Sequence, residues 1–312
     1  MRVFVAGASG AIGRRLVPSL VEAGHDVTGM TRSTDKTESL SAAGAEPVVC
    51  DALDRDAVRD AVAAARPEVV VHQLTAIPPA FNPRHMAEEF APTNRLRSEG
   101  TRHLVDAAAA AGAHRIVAQS IAFAYAPTDG WVKDEDAELF LDAPEAFRGT
   151  VEAVRALETA VLDAGDVDGV VLRYGFFYGP GTSYASDGAI AEQVRRRRFP
   201  IGGRGTGRFS FVHLDDATRA TVAAVEGGPA GTYNVVDDEP APVSDWLPAY
   251  AAALGAPVPR RLPGWLVRMA AGPYGLYTLT ELRGASNARA RERLGWAPQI
   301  SSWRQGFTTA LG

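Results

Sequence analysis

Lysine is almost absent from this chain of 312 residues, which has only Lys36 and Lys133 against 30 arginines. A single cysteine, Cys50, excludes an internal disulfide bond, so we expect a protein of the reducing cytoplasm. No apolar run reaches the length of a membrane span or of a secretion signal, because glycine, proline or arginine interrupts each one. The net charge of −5 gives no electrostatic reason to expect nucleic acid or a membrane as a partner.

Short Val-rich runs alternate with alanine-rich helical segments through the first 175 residues. Continuous apolar runs of this kind are typical of parallel strands that are buried on both faces. A right-handed crossover needs a helix between parallel neighbours, so the alternation predicts an α/β fold with a doubly wound parallel sheet. The predicted strands are 2–7, 25–30, 46–51, 68–74, 114–120 and 168–175, and the predicted helices are 11–23, 35–43, 54–65, 88–112 and 145–164.

A glycine-rich turn joins the first predicted strand to the first helix, where "VFVAGASGAIGRRL" places Gly7, Gly10 and Gly13 at intervals of three. Such glycines allow a tight turn, let a pyrophosphate approach the backbone and let the helix pack close to the strand. The helix N-terminus then offers free N–H groups to the phosphates. We therefore predict a dinucleotide-binding loop made of Gly7, Ser9, Gly10, Ala11, Ile12 and Gly13.

The end of the second predicted strand bears on the choice of cofactor. An NAD-selective site usually has an acidic residue there, whereas this chain has Thr31 followed by Arg32, which can pair with the 2′-phosphate of NADP. We predict NADP(H) as the preferred cofactor and keep NAD(H) as the alternative, since Arg32 can also be a plain surface arginine. Asp51 is placed to accept from the adenine amino group or to cap the next helix. The further predicted cofactor contacts are Ala52, Leu53, Leu74 and Thr75.

Beyond residue 175 the pattern becomes irregular and rich in glycine and proline. We predict a dinucleotide-binding domain over residues 1–175 plus about 209–237. Residues 176–208 and about 238–312 are predicted to form a smaller lobe that closes over the end of the sheet.

Several motifs, taken in order, carry a family likeness: the glycine loop, "VVVHQLTA", "EGTRHLVDAA", "VAQSIAFAY", "LRYGFFYGPG", "FSFVHLDDAT", "GTYNVVDDEP" and "SNARARERLGWAPQ". Over nearly the whole chain the sequence resembles the extended short-chain dehydrogenases/reductases, the NAD-dependent epimerase/dehydratase group. The resemblance implies a Rossmann domain with a C-terminal substrate lobe, a small-molecule substrate beside the nicotinamide, and a homodimer.

The same resemblance exposes a missing feature. Family members use a Ser or Thr after the fifth strand and a Y-x-x-x-K pair on the next helix, where the lysine orients the nicotinamide ribose and the phenol exchanges a proton. Anchored on Glu158, the tyrosine position falls on Thr150 and the lysine position on Val154. The residues four before Lys36 and Lys133 are Arg32 and Asp129, so no Y-x-x-x-K exists anywhere in the chain. Arg155 lies one place from the lysine position and is a candidate for the ribose.

Ser120 matches the family serine, although counting back from Tyr125 puts Ile121 in that position instead. We predict Ser120 and Tyr125 as catalytic residues, with Tyr125 as the displaced acid. Tyr184 and Arg208 are predicted substrate contacts, the latter because it resembles a position that binds the diphosphate of nucleotide sugars. For each tyrosine taken singly, a core or lid aromatic is the better interpretation. Arg173 and His213 are expected to be structural, and no metal site is predicted.

Three functions fit this pattern. The first is an NAD(P)-dependent oxidoreductase or epimerase with a non-standard proton donor, acting on a small carbonyl compound or a nucleotide sugar. The second is a non-redox lyase or isomerase, and the third is a non-catalytic NADP(H) sensor. Long aromatic loops after the fourth and fifth strands, "LTAIPPAFNPRHM" and "YAPTDGWVKDED", favour an enzyme, because open α/β sheets bind substrates at the carboxyl ends of their strands.

Overall fold

Seven parallel strands form the central sheet of the protein, here described from a computed structural model. The structure describes residues 1–78, 82 and 85–311, so part of the predicted loop after the fourth strand lies outside the described residues. The strands of this sheet run in the order β12-β7-β5-β4-β1-β2-β3. They are β1 (Arg2–Ala6), β2 (Asp26–Thr31), β3 (Glu46–Val49), β4 (Val69–His72), β5 (Arg115–Ile121), β7 (Asp168–Tyr174) and β12 (Gly231–Val235).

Helices on both faces of the sheet connect these strands. A 3-10 turn (Thr34–Lys36) precedes α2, and a π-helical turn (Leu96–Gly100) joins α4 to α5. The helices of this part are α1 (Gly13–Glu22), α2 (Thr37–Ala42), α3 (Arg55–Ala65), α4 (Met86–Arg95), α5 (Thr101–Ala110), α6 (Glu145–Leu162) and α8 (Leu214–Glu226). The predicted Rossmann-type doubly wound sheet is therefore confirmed.

The remaining elements are short strand pairs and helices that follow β5 and β7 or come after β12. Their four two-stranded pairings are β8 with β11, β9 with β14, β10 with β13 and β6 with β15. The strands are β6 (Val132–Lys133), β8 (Phe176–Tyr178), β9 (Ile201–Gly202), β10 (Arg208–Phe209), β11 (Phe211–His213), β13 (Ala241–Pro242), β14 (Arg261–Leu262) and β15 (Gly284–Ala285). The helices are α7 (Ala189–Arg195), α9 (Val243–Ala253), α10 (Gly264–Thr280), α11 (Ala288–Arg293) and α12 (Trp303–Thr309).

Apolar side chains on the two faces of the sheet make two separate cores. Val3, Val5 and Val71 pack under α1 and α8, whereas Phe4 and Val70 pack under α3, α5 and α6. This division follows from the strand period of two, which sends successive side chains to opposite faces. A third core, rich in aromatic rings, lies among the elements outside the sheet and contains Trp246 and Trp303.

The strand order reverses between β1 and β4, because the chain adds β2 and β3 on one side and returns to the other side for β4. Ala6 pairs with His72 and His72 pairs with Ala118, so β1, β4 and β5 are in register near this edge. In open α/β sheets the crevice outside the carboxyl ends at such a reversal is the usual ligand site. The predicted glycine loop lies at this edge.

Candidate functional site

The glycine loop has the close packing that its spacing predicts. Gly7 has φ +91°, and a Cβ atom there would lie 2.7 Å from the carbonyl oxygen of Gln73, at the end of β4. A Cβ atom on Gly13 would lie 2.3 Å from the carbonyl oxygen of Gly7. The amide of Gly10 donates to that same Gly7 carbonyl at 3.0 Å. Side chains at positions 7 and 13 would therefore push the loop away from the sheet.

The N-terminus of α1 carries no side-chain cap, because Ile12 stands at the capping position. Its neighbour Arg15 turns away to Asp215 at 3.0 Å and to the carbonyl of Pro180 at 3.0 Å. An uncapped helix start with a glycine loop before it leaves backbone N–H groups and the positive end of the helix dipole for an anion. The loop therefore fits a pyrophosphate, as predicted for a dinucleotide.

The end of β2 carries hydroxyl groups and a cation. The hydroxyls of Ser9 and Thr31 lie 3.1 Å apart, and the amide of Ser33 donates to the Thr31 hydroxyl at 3.3 Å. Arg32 is exposed and has no ion pair with any residue in the described part of the chain. A guanidinium can pair with a phosphate, whereas the hydroxyls beside it can both donate to and accept from a ribose.

At the end of β3 the structure separates the two roles that were open for Asp51. Asp54, not Asp51, caps α3, because its carboxylate accepts from the amide of Ala57 at 3.1 Å. The Asp51 carboxylate is exposed, and among the described residues it accepts only from the amide of Leu53, at 3.0 Å. Ala52 is buried, and its carbonyl lies 2.9 Å from Nδ1 of His103. Asp51 thus remains able to accept from an adenine amino group.

At the end of β4 a buried histidine organises the chain that leads to the half-buried Leu74 and Thr75. Nδ1 of His72 accepts from the amide of Leu74 at 3.2 Å, so Nε2 carries the proton and donates to the hydroxyl of Thr101 at 2.9 Å. Burial lowers the pKa of His72 to about 4, and the charge of Arg97 adds to this effect. The imidazole is therefore neutral and holds Leu74 in place at neutral pH.

The two predicted catalytic residues belong to one buried network. The Ser120 hydroxyl donates to Glu158 Oε1 at 2.7 Å, and Arg173 donates to both oxygens of Glu158, at 2.8 and 2.6 Å. Arg173 also donates to the Tyr125 hydroxyl at 2.9 Å, and that hydroxyl donates to Asn234 Oδ1 at 2.6 Å. The expectation that Arg173 is a structural ion-pair residue is confirmed.

Tyr125 is only 1% exposed, and both its donor and one of its acceptor positions are occupied by protein groups. Burial raises the pKa of this phenol to about 12, against the opposing effect of Arg173. Ser120 is fully buried and directs its proton to Glu158. The structure thus brings the two residues together with Glu158, with their hydroxyl protons already engaged. Their catalytic role stays a prediction.

Helix α6 has the tyrosine and lysine positions of the family on its buried side. Thr150 is 3% exposed and its hydroxyl accepts from Asn94 Nδ2 at 3.4 Å, while Val154 is fully buried in the third, aromatic-rich core. Arg155 is exposed on the same helix. No phenol or amine is therefore supplied by these positions.

Stacked phenylalanines lie just beyond the carboxyl ends of β5 and β7. The rings of Phe123 and Phe176 are 4.3 Å apart, and Phe176 stacks on Phe209 at 4.4 Å. Tyr184 meets Phe176 edge-on at 6.3 Å and is buried in the aromatic core. Arg208, the residue before Phe209 in the chain, donates to the carbonyl of Pro240 at 3.2 Å, while its buried Nε has no partner in the described residues. His213, in contrast, caps α8, as its expected structural role implies.

Sequence reasoning missed one residue that the structure singles out. Arg97, in the π-helical turn, is 3% exposed and its Nη1 has no hydrogen-bond partner among the described residues. A signal for it exists in the sequence, since Arg97 shares the apolar stripe of Gly100, Thr101 and Leu104. A cation on the buried stripe of a helix is unusual enough to mark a candidate site.

A Rossmann-type sheet with a glycine loop at its point of reversal is the usual arrangement of a dinucleotide-binding protein. Comparison with known proteins specifies it further: the family described as "NAD dependent epimerase/dehydratase family" matches residues 3–235. The 3-diazoavenalumate denitrifying reductase of a Streptomyces species is 52% identical over 314 residues, which cover 98% of this chain and 99% of that protein. The chain therefore belongs to the NAD-dependent epimerase/dehydratase family.

Solved structures agree with this fold. The UDP-glucose 4-epimerase of Thermus thermophilus in complex with NAD superposes with a TM-score of 0.75 at 21% identity, covering 100% of this chain and 98% of that one. A human epimerase family protein with NADPH superposes with a TM-score of 0.74 at 22% identity, covering 100% of this chain and 99% of the human one. These likenesses concern the fold.

Membership of the family makes the chain an NAD(P)-dependent oxidoreductase or epimerase with a nicotinamide cofactor and a small-molecule substrate. Across the described ranges no helix is both long and apolar enough to cross a membrane. The homodimer, the cytoplasmic location and the division into domain and lobe stay predictions.

Proposed function

We propose that this protein is an NADPH-dependent reductase that replaces a dinitrogen group on carbon by hydrogen, acting on a diazo-substituted carboxylate. The sequence support is the relative named 3-diazoavenalumate denitrifying reductase, which is 52% identical over nearly the full length of both chains. The structural observation that carries the proposal is that no free phenol stands where the family has its tyrosine: Thr150 and Val154 fill the tyrosine and lysine positions, and the Tyr125 hydroxyl is hydrogen-bonded to Arg173 and Asn234.

Reduction of a carbonyl group needs a proton as well as a hydride, because the oxygen becomes an alkoxide that must be protonated. Loss of dinitrogen from a diazonium cation has no such need, because a hydride neutralises the cation. A bound reduced nicotinamide would supply that hydride, a C–H bond would form at the diazonium carbon, and the C–N bond would break with its electron pair leaving on N₂. A site without a phenol–amine pair is therefore matched to this reaction.

Arg32, together with the hydroxyls of Ser9 and Thr31, supports NADPH as the cofactor. The guanidinium would bind the 2′-phosphate, and Gly7 and Gly13 keep the loop close enough to the sheet for the pyrophosphate. Asp51 would accept from the adenine amino group, because Asp54 performs the capping of α3.

On the substrate side, the stacked rings of Phe123, Phe176 and Phe209 form an apolar wall beyond the strand ends. Such a wall suits a flat conjugated substrate, which gains dispersion contacts with the rings. Arg208, which precedes Phe209 in the chain, would bind the carboxylate of the substrate, since its buried Nε has no protein partner among the described residues. Tyr184 packs against this wall through its edge-on contact with the ring of Phe176.

A second function, carbonyl reduction with Ser120 and Tyr125 as predicted from the sequence, is favoured by one observation. Both hydroxyls belong to the same network with Glu158 and Arg173 at the ends of β5 and β7. For this function Ser120→Ala and Tyr125→Phe should abolish turnover, whereas for hydride transfer with loss of N₂ they should leave the rate per folded molecule nearly unchanged.

The test uses a diazotised aminobenzoate as substrate and NADPH that carries deuterium at C4 of the nicotinamide. We expect one N₂ released per NADPH oxidised, with deuterium on the carbon that carried the nitrogen, measured by mass spectrometry against a mixture without protein. NADPH oxidation without deuterium on carbon, or activity only with ketones and aldehydes, would contradict the proposal. Binding of NADPH without any turnover would favour the sensor function instead.

A further inference from the structure

Arg97 is a buried cation without a hydrogen-bond partner in the described part of the chain. It makes no hydrogen bond or ion pair with any residue that the structure describes, and its Nη1 is inaccessible to solvent. The other buried arginines are satisfied. Arg115 donates to three main-chain carbonyls at 2.8 to 3.0 Å, and Arg173 holds Glu158. Since an unpaired buried charge costs several kcal/mol, its retention indicates a ligand that is bound in the working protein.

The position of Arg97 is fixed by contacts one helical turn away on either side. One turn earlier, Asn94 Nδ2 donates to Thr150 on α6 at 3.4 Å, and one turn later, Thr101 contacts the ring of His72 at the end of β4. Burial lowers the pKa of Arg97 to about 10, with Glu158 acting in the opposite direction. Arg97 therefore lies between β4 and α6, on the β4–β5 side of the point where the strand order reverses.

Glu158 does not neutralise Arg97. Its two oxygens already accept from Ser120 and twice from Arg173, at 2.6 to 2.8 Å. A further buried polar atom without a partner lies one turn from Arg97, namely Oδ1 of Asn94. The unsatisfied acceptor of Asn94 and the unsatisfied donor of Arg97 thus come from positions i and i+3 of one helical segment. Residues at this spacing share one face of a helix.

We propose that Arg97 and Asn94 bind the hydroxyls of the ribose next to the nicotinamide, an inference that rests on the proposed function. A dinucleotide lies across the reversal of strand order, with one mononucleotide on each side. Arg32 belongs to the β1–β3 side, so the second ribose belongs to the side of β4 and Arg97. A hydroxyl group both donates and accepts, so a diol satisfies Oδ1 of Asn94 and Nη1 of Arg97 together. A carboxylate would be repelled by Oδ1, which argues against a substrate anion here.

The charge of Arg97 has a consequence for the redox state of the cofactor. The nicotinamide ring is cationic when oxidised and neutral when reduced, and a nearby uncompensated cation in a low-dielectric site disfavours the oxidised form. We expect tighter binding of NADPH than of NADP⁺, and we expect this preference to fall when Arg97 is replaced. A residue with a purely structural role would not change that ratio.

The test compares two fragments of the cofactor by isothermal titration calorimetry. 2′-Phospho-ADP-ribose contains both riboses, whereas 2′,5′-ADP contains only the adenosine half, and ADP-ribose with ADP forms the parallel pair if the protein prefers NAD. For Arg97→Met we expect about a tenfold to hundredfold loss of affinity for the fragment with both riboses, as for a hydrogen bond to a charged group. Affinity for the adenosine half should stay unchanged.

Arg102→Met is the matched control, because Arg102 is an exposed arginine on α5, in the same helical segment as Arg97, and has no role in the proposed site. It should change neither affinity. Arg97→Met should fold at least as stably as the parent chain, since it removes an unpaired buried charge, and Arg97→Lys provides a second variant that keeps the charge but loses the planar fork. We expect Arg97→Lys to retain part of the affinity.

Equal losses for both fragments, or no loss for either, would overturn the role of Arg97. If the parent chain bound neither pair of fragments, the nicotinamide cofactor of the proposed function would fail as well. The two failures are therefore distinguishable in the same set of titrations.

Discussion

The Glu158 carboxylate connects helix α6 to strands β5 and β7, and its removal is the most direct test of the buried network. Both partners of the ion pair are almost fully buried, with Glu158 and Arg173 each 5% exposed. The carboxylate accepts three hydrogen bonds, two from Arg173 at 2.6 and 2.8 Å and one from Ser120 at 2.7 Å. The isosteric change Glu158→Gln removes the charge and turns an amide NH₂ toward a guanidinium.

The expected cost follows from the burial of the pair. Removal of one partner of a buried ion pair leaves the other charge unpaired and lowers the free energy of unfolding by about 3–5 kcal/mol. The double variant Glu158→Leu with Arg173→Met removes both charges. We expect the double variant to lose about 2–3 kcal/mol less free energy of unfolding than Glu158→Leu alone and Arg173→Met alone lose together, because neither charge of the pair remains buried.

The measurement is urea-induced unfolding followed by circular dichroism at constant pH. Glu152→Gln is the matched control, since Glu152 is exposed on the same helix, and it should change stability by no more than about 0.5 kcal/mol. If Glu158→Gln cost no more than Glu152→Gln, or if the single losses simply added in the double variant, the reasoning about this network would be refuted.

Three further predictions concern the glycine loop and two buried side chains. Gly13→Ala should abolish nucleotide binding in a thermal-shift assay, because its Cβ would lie 2.3 Å from the Gly7 carbonyl, whereas Gly149→Ala, with no atom closer than 3.9 Å, should bind normally. Lowering the pH from 6.5 to 4 should reduce the free energy of unfolding by up to about 3 kcal/mol through His72. The reason is that the imidazole binds a proton in the unfolded chain but stays neutral in the folded protein, where its pKa is about 4. If His72→Gln had the same pH profile of stability as the parent chain, this prediction would be contradicted. Burial raises the pKa of Cys50 to about 11, so iodoacetamide at pH 8 should alkylate it only after urea is added, and rapid labelling of the folded protein would be evidence against a buried thiol.

Local patterns in the sequence were enough for much of the fold. Each of the six predicted strands in the first 175 residues overlaps an observed strand of the main sheet, and their ends differ by at most a few residues. The predicted helix 88–112 is continuous in the structure as α4, the π-helical turn and α5. These features follow from hydrophobic period and helix signals, which act over a few neighbouring residues.

The choice between Asp51 and Asp54 needed the backbone itself. Both residues precede α3 and both are good capping residues, so composition could not separate them. The structure decides for Asp54 as the cap, because its carboxylate accepts from Ala57 while Asp51 accepts from Leu53. Which of the two carboxylates reaches the first turn of α3 depends on the course of the backbone between them.

The bonding of Tyr125 and the isolation of Arg97 depend on residues that are distant in sequence. Tyr125 donates to Asn234, which is 109 positions away. Both oxygens of Glu158 accept from Arg173, so this carboxylate is already engaged and forms no ion pair with Arg97 in the described residues. Competition of this kind for one carboxylate is set by tertiary packing, and no pattern within α4 or α5 encodes it.

The last part of the chain also determines when the site can be completed during synthesis. β15 pairs with β6, and Asn287 donates to the carbonyl of Val236 at 2.9 Å, so residues 284–287 hold segments made much earlier. The glycine loop and β1–β3 use only the first third of the chain. Domains form from the N-terminus as the ribosome extends the chain. A nascent chain can therefore form its nucleotide half first, whereas the Tyr125 carbonyl must await the hydroxyl of Tyr277, which the ribosome adds 152 positions later, and Asn234 must await Ser286, 52 positions later.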